Sequence, residues 1–398
     1  MLRLTFGTAA LLGSLALLPA AQAQDANPAT CVADYDPAVN YFPDRVESVH
    51  ALQWDIAYHD SYKVLTVPNS EFPDQADLTY VLVQCGTPAP ELTGDLEGAL
   101  LVEIPVDRAI ITSRNALAML DEIDRVDTVV GLSGNFFGFA ESDAWYASIL
   151  ERAASPLDVA SESDMDFETA LALEADAIFM AGYGPSYEEV ATVRGRGLPS
   201  VMVSNRIEPT PLGSAEWVKF VAAFYNQEAA ANAVFDSIET DYTTIAGEVA
   251  GQLTEDYEAA YACLGDEGGC GFTYAHGASS LNGQILDLMG VSNPFAQGND
   301  RPNGMGFDYE AALGRTQDTD FFIIYSIGSP AALESDPRYR NVPALAAGNY
   351  IISTIDNYYE CNAVTYVRVD RLVRDYAIGM FPKLFPGEEG VCFQAPGN

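Results

Sequence analysis

The chain has 398 residues, 19 of them Lys or Arg and 57 Asp or Glu, for a formal charge of −38. Hydrophobic residues make up 48 %, enough to bury a core, which argues against disorder. So acidic a surface repels polyanions, which argues strongly against nucleic-acid binding and disfavours a role on anionic lipid; the length fits two domains.

Met1 to Ala23 reads as a secretory signal peptide. Arg3 is its only charge, Leu4 to Leu18 is apolar, and Ala21-Gln22-Ala23 is a small-x-small cleavage site. The apolar run is shorter than the roughly 20 residues that cross a bilayer. Cleavage leaves 18 basic and 57 acidic residues, or −39. The first cysteine, Cys31, follows Pro28-Ala29-Thr30, which lacks the lipobox leucine, so no lipid anchor is expected. None of the 17 asparagines opens Asn-x-Ser/Thr, which favours a bacterial envelope protein. The six cysteines fit an oxidising compartment and allow 15 pairings. Domain membership favours Cys31–Cys85, Cys263–Cys270 and Cys361–Cys392.

Tyr62 to Val67 and Leu78 to Val83 are strand runs in a strand-rich extension. From Arg108 short apolar strands alternate with helices: strands at Ala109–Thr112, Val129–Leu132, Ala177–Ala181 and Ser200–Val203, helices at Ala116–Ile123 and from Phe167. That rhythm indicates a parallel α/β sheet covered on both faces. Between Ser214 and Gly251 apolar residues recur every three or four positions except across Asn226-Gln227. This predicts a short helix, a break, and a helix of about 25 residues, near 38 Å long. The α/β rhythm then restarts with a strand at Ala259–Ala262, a helix at Gly283–Met289, a helix from Tyr309, a strand at Phe321–Tyr325 and a tail helix at Val367–Phe381.

The two halves share a pattern. Asp166-Phe167-Glu168-Thr169-Ala170-Leu171 precedes Asp176 and a strand; Asp308-Tyr309-Glu310-Ala311-Ala312-Leu313 precedes Asp320 and a strand. Two such matches flanking one long helix indicate duplicated lobes. The expected organisation is a signal peptide at 1–23, an N-terminal lobe with its extension at 24–213, connecting helices at 214–253 and a C-terminal lobe at 254–398.

With Ile104 to Arg108, Phe167 to Leu173, Thr210 to Trp217 and Asn357-Tyr358-Tyr359-Glu360, in that order and spacing, the chain resembles the substrate-binding proteins of ABC importers for iron–siderophore complexes and cobalamin. The resemblance runs from about Arg108 to Phe385. It implies two Rossmann-like α/β lobes joined by a single long helix, an Fe(III)-siderophore complex as ligand, no resident cofactor, and a periplasmic monomer. It also implies that Glu168 and Glu310 dock the permease. A carboxylate at a helix N-terminus is favoured by the dipole and can bind Arg bidentately.

Ligands of open α/β sheets sit off the carboxyl ends of the strands. The loops leaving those ends offer Arg114, Asn135, Phe136, Tyr183, Arg206, His276, Arg301, Tyr325 and Tyr358 as candidate ligand-binding residues. Arg and aromatic side chains suit a large anionic chelate through ion pairing and stacking. Each Arg could equally form a surface salt bridge, and each Tyr could simply pack. A zinc or manganese site is disfavoured, because there are three His and two lie in the extension. Cobalamin, haem, or ferric iron held by Tyr and carboxylates stay open, as does a ligand-sensing domain without transport. No catalytic motif is found: the chain has no Gly-x-Ser-x-Gly, His-Glu-x-x-His or phosphate loop.

Overall fold

Three sheets organise the chain, whose computed structural model describes residues 25–68, 77–160, 164–182, 186–253, 256–264, 273–301, 304–325, 338–353 and 357–395. The signal sequence, Tyr183 and the Cys263–Cys270 pairing lie outside these residues. Among the described residues no helix is long and apolar enough to cross a membrane.

The extension forms the first sheet. Strands β1 (Asp55–Tyr58), β2 (Tyr62–Val67) and β3 (Leu78–Gln84) are antiparallel, and β4 (Leu100–Ile104) joins β3 in parallel. β2 alternates, so Lys63, Leu65 and Val67 all face the core. Cys31 is bonded to Cys85, just beyond β3.

The second sheet is wholly parallel, in the order β7-β6-β5-β8-β9: β5 (Ala109–Ile111), β6 (Val129–Leu132), β7 (Leu157–Asp158), β8 (Ala177–Ala181) and β9 (Ser200–Val203). Its helices are α1 (Arg114–Glu122), α2 (Gly134–Phe139), α3 (Ala144–Arg152), α4 (Phe167–Ala172) and α5 (Ser186–Gly195). Ser113, Asp143 and Asp166 cap α1, α3 and α4 by accepting from first-turn amides.

α6 (Pro211–Ala223) starts at Thr210, whose hydroxyl accepts from the Gly213 amide. The chain breaks at Asn226, which adopts φ +54, and resumes as the 23-residue α7 (Glu228–Ala250). That helix is about 35 Å long. It buries Ala231, Phe235, Ile238, Tyr242, Ile245 and Val249 along one stripe, against α6 on one side and α12 (Val369–Met380) on the other.

The third sheet has the order β12-β11-β10-β13-β14-β15. β10 (Ala259–Leu264), β13 (Phe321–Ile324) and β14 (Tyr350–Ser353) form its parallel centre; β11 (Thr273–Ala275), β12 (Met305–Gly306) and β15 (Phe393–Gln394) are antiparallel edges. Its helices, besides α12, are α8 (Leu281–Leu288), α9 (Tyr309–Arg315), α10 (Pro343–Ala346) and α11 (Tyr358–Val364). The mixed α/β architecture is the one the sequence predicts.

The repeated acidic pattern does the same work in both halves. Asp166 and Asp308 cap α4 and α9. Asp176 accepts from the amides of Asp107 and Arg108, which lead into β5. Asp320 accepts from the amide of Glu258, which leads into β10. In each half one carboxylate anchors the start of the central strand beside it.

Buried carboxylates fasten the extension to α6. Glu216 accepts from the amides of Val49, His50 and Ala51 at 2.7–2.9 Å. Glu208 accepts from Leu52, Gln53 and the Trp217 indole at 2.8–3.0 Å. Each interaction satisfies a charge that would be costly to bury alone.

Candidate functional site

β10, β13 and β14 end at one edge of the third sheet, and a cavity of about 210 Å³ opens beyond them. Tyr261 of β10, Tyr325 just after β13 and Ser353 at the end of β14 line it from below. α11 and the turn after it supply the opposite wall through Tyr358, Asn362 and Tyr366. Positions 358, 362 and 366 are four apart, which puts them on one side of a helical segment.

Arg206, His276, Tyr325 and Tyr358 thus come together, although 152 positions separate the first and last. Arg114 is not in the wall, but its positive field reaches the phenols of Tyr325 and Tyr146. Asn135 is exposed on α2 and Arg301 is exposed, and neither lines the cavity. Phe136 lies in α2 rather than a loop and is buried against Tyr146, with ring centroids 5.5 Å apart; it serves packing.

Sequence reasoning passed over Tyr261, Asn362 and Tyr366. Tyr261 hides inside a strand, where an aromatic residue normally signals packing. The four-residue spacing from Tyr358 was the available signal for the other two.

α11 belongs by connectivity to the third sheet but is bound to the second. Asn115 donates to the Ala363 carbonyl at 2.8 Å, and the Glu360 amide donates to Asp143 at 2.8 Å. Phe139 stacks on Tyr359, with centroids 4.0 Å apart and planes 13° from parallel. Ser214 donates to the Tyr366 carbonyl at 2.9 Å. Arg206 stands 4.5 Å above the Tyr366 ring and donates to its hydroxyl at 3.3 Å. The Cys361–Cys392 disulfide ties α11 back to β15.

The cavity is not acidic. Among the described residues Arg206 is the only charged side chain in its lining, in a chain with three acids for every base. Burial lowers His276 to about 4, so it is neutral at working pH. Its Nδ1 lies 3.3 Å from the Asn282 amide nitrogen, and Asn282 accepts from Tyr376 at 2.6 Å. Burial raises the phenols of Tyr261 and Tyr325. Tyr325 and Tyr358 share a hydroxyl–hydroxyl hydrogen bond, and Asn362 donates to the Tyr325 oxygen at 2.9 Å. Such a lining offers one guanidinium and several phenol hydroxyls to the acceptor groups of a ligand and aromatic faces to its rings. Among the described residues no group of three or more His, Cys, Asp or Glu side chains could hold a metal ion.

Behind the wall, Asp375 of α12 accepts from the amides of Val391, Cys392 and Phe393 at 2.6–3.1 Å. Burial outweighs these bonds and lifts its carboxyl from 3.8 to about 6. The folded state therefore holds this proton more tightly than the unfolded state. Its stabilising effect is full below about pH 4 and is lost as pH rises through about 6, a change on the order of 3 kcal/mol. Urea unfolding at stepped pH should show wild-type stability falling over that window, with a flatter profile in Asp375→Asn.

No protein-family model matches the chain. An uncharacterised lipoprotein of Methanocaldococcus jannaschii is 23 % identical over 306 residues, covering 73 % of this chain and 68 % of that protein. The petrobactin-binding protein of Bacillus subtilis superposes with a TM-score of 0.53 at 16 % identity, over 69 % of this chain and 92 % of that one. A periplasmic heme-binding protein of Pseudomonas aeruginosa gives 0.54 at 14 % identity, over 74 % and 99 %. A periplasmic solute-binding protein of Veillonella parvula gives 0.54 at 14 % identity, over 71 % and 83 %. The chain has the fold of these periplasmic solute-binding proteins.

Proposed function

We propose that this protein is the periplasmic substrate-binding component of an ABC importer, which captures an iron chelate between its lobes and delivers it to a membrane permease. The observation that carries this reading is the cavity at the carboxyl ends of β10, β13 and β14, closed by a helix bound to the other lobe. Solved proteins of the same fold are described as binding petrobactin and heme. The neutral, aromatic lining with one guanidinium suits a chelate bearing acceptor oxygens. At about 210 Å³ the cavity is smaller than the roughly 300–1,000 Å³ of typical ligand sites, so a complete siderophore requires the lobes to part further.

Export by the signal sequence places the protein in the periplasm in this reading. The archaeal relative is called a lipoprotein. Here Cys31 pairs with Cys85, which supports a form of the protein without a lipid on that sulfur. The protein is taken to bind without turnover and to act as a monomer.

Intrinsic fluorescence tests the reading. Trp145 sits in α3 and donates to Asp121 beside the docked α11, whereas Trp54 and Trp217 are buried against Phe220. A panel of ferric hydroxamates, ferric catecholates, haem, cobalamin and chelated Fe(III) should include a compound that saturably changes Trp145 emission. Failure of every compound would overturn the reading.

Glu168 and Glu310 are exposed in the first turns of α4 and α9, at equivalent points of the repeat. We assign them to the permease contact. Replacing both by Ala should abolish uptake in permease vesicles while ligand affinity stays within about twofold; unchanged uptake refutes the assignment.

A further inference from the structure

The wall helix α11 has seven residues, a length that is marginal for a helix by itself in water. Asn357 at its N-cap makes no side-chain cap bond and instead donates to the Val391 carbonyl at 2.5 Å. The cap comes from the other lobe. Asp143, buried at the start of α3, accepts from the Trp145 and Tyr146 amides on one oxygen, at 3.1 and 3.3 Å. Its other oxygen accepts from the Glu360 amide at 2.8 Å. One carboxylate thus caps two helices, α3 of the N-terminal lobe and α11 of the C-terminal lobe. At the far end of α11, buried Asn115 of α1 donates to the Ala363 carbonyl, one of the last four that a helix leaves without an internal partner. This segment carries Tyr358, Asn362 and Tyr366 into the cavity wall.

We propose that Asp143 and Asn115 are positioning residues of the site: they complete α11 from the opposite lobe, so that joining the lobes and building the cavity wall are one event. This goes beyond the proposed function. Parting the lobes withdraws Asp143 and Asn115 together and leaves backbone groups without partners at both ends of α11. A helix this short then unwinds as a unit. The Cys361–Cys392 bond keeps the unwound segment beside β15. Tyr358 and Asn362 regain their places in the wall when the N-terminal lobe returns and caps the helix again.

Hydrogen exchange of the full protein, with no ligand added, tests this. Asp143→Asn is selective: its oxygen still caps α3, since Asn caps as well as Asp, while its NH2 group meets the Glu360 amide donor to donor. Asn115→Ala cuts the other end. Each variant should raise exchange roughly five- to tenfold at both ends of α11, whichever bond was removed. The reporters are Cys361, whose amide donates to the Asn357 carbonyl, and Thr365, whose amide donates to the Cys361 carbonyl. In Asp143→Asn the α3 amides should exchange as in wild type, and unchanged protection of β5, β8 and β13 shows that each variant folds. Glu360→Gln keeps the amide and removes the side-chain charge that Asp143 repels, and should leave α11 within about twofold of wild type. Exchange that rises only at the end where the bond was cut, or at neither end, overturns the coupling; so does an equal rise in Glu360→Gln. These outcomes leave the proposed function standing, which fails separately if no compound of the fluorescence panel binds.

Discussion

Replacing Lys63 by Met is expected to lower the unfolding free energy by about 3–5 kcal/mol. Lys63 and Glu228 are an ion pair with no exposure on either side chain. The lysine also donates to the Ala223 carbonyl at 2.7 Å and to Asn226 at 2.8 Å, and lies 4.6 Å over the Phe42 ring. Met keeps most of the volume, so the loss reports the charge. Glu228 is left buried with the neutral donors Asn27 and Tyr58, too little to replace an ammonium. Glu228→Gln should cost less, since the lysine keeps two oxygen partners. The double variant Lys63→Met/Glu228→Gln should recover much of the deficit, because neither charge is then stranded. Urea unfolding of the three variants checks this, and additive losses would refute it. The pair joins the extension to the break between α6 and α7, so the single variants should also loosen that junction.

Removing the Cys361–Cys392 disulfide by Ser substitution should cost roughly 3–4 kcal/mol, from the loop entropy released over a separation of 31 residues. The functional effect should be larger than that of opening Cys31–Cys85, which lies in the extension. Both Cys361 and Cys392 line the cavity, and their bond is the covalent tie between the wall helix α11 and the edge strand β15. Without it α11 keeps its contacts to the other lobe through Asn115, Asp143 and Phe139. β15 keeps Asp375. The wall can then part along its middle. Hydrogen exchange should rise in 357–367 and 391–394 and stay unchanged in the second sheet. Uniform protection in the variant would refute that role.

Much of the fold was legible because its central strands are continuous apolar runs. Ala177–Ala181 and Ser200–Val203 stand where the sequence places them, since a strand buried on both faces tolerates little else, while Tyr62–Val67 alternates between a buried and a half-buried face. The break before the long helix was legible for a local reason too: apolar spacing fails at Asn226-Gln227, and Asn tolerates the left-handed backbone found there. The edge strands β11, β12 and β15 were not legible. They are short, and their partners rather than their composition make them strands.

The site divides along the same line. Loops after parallel strands converge by topology, so Arg206, His276 and Tyr325 could be named from the strand order alone. Phe136 could not be excluded that way, because its loop closes into a helix turned toward Tyr146.

By itself the sequence determined what depends on neighbours along the chain: the apolar strands, the capped helices, and the repeated Asp that anchors each lobe's central strand. Only the tertiary structure decided which residues meet across long separations. Lys63 finds Glu228, the Glu216 carboxylate captures three amides of the extension, and α11 leaves its own lobe to wall a cavity against the other. The physical reason is that burying a charge or a helix end requires a partner, and the partner is chosen by packing rather than by sequence proximity.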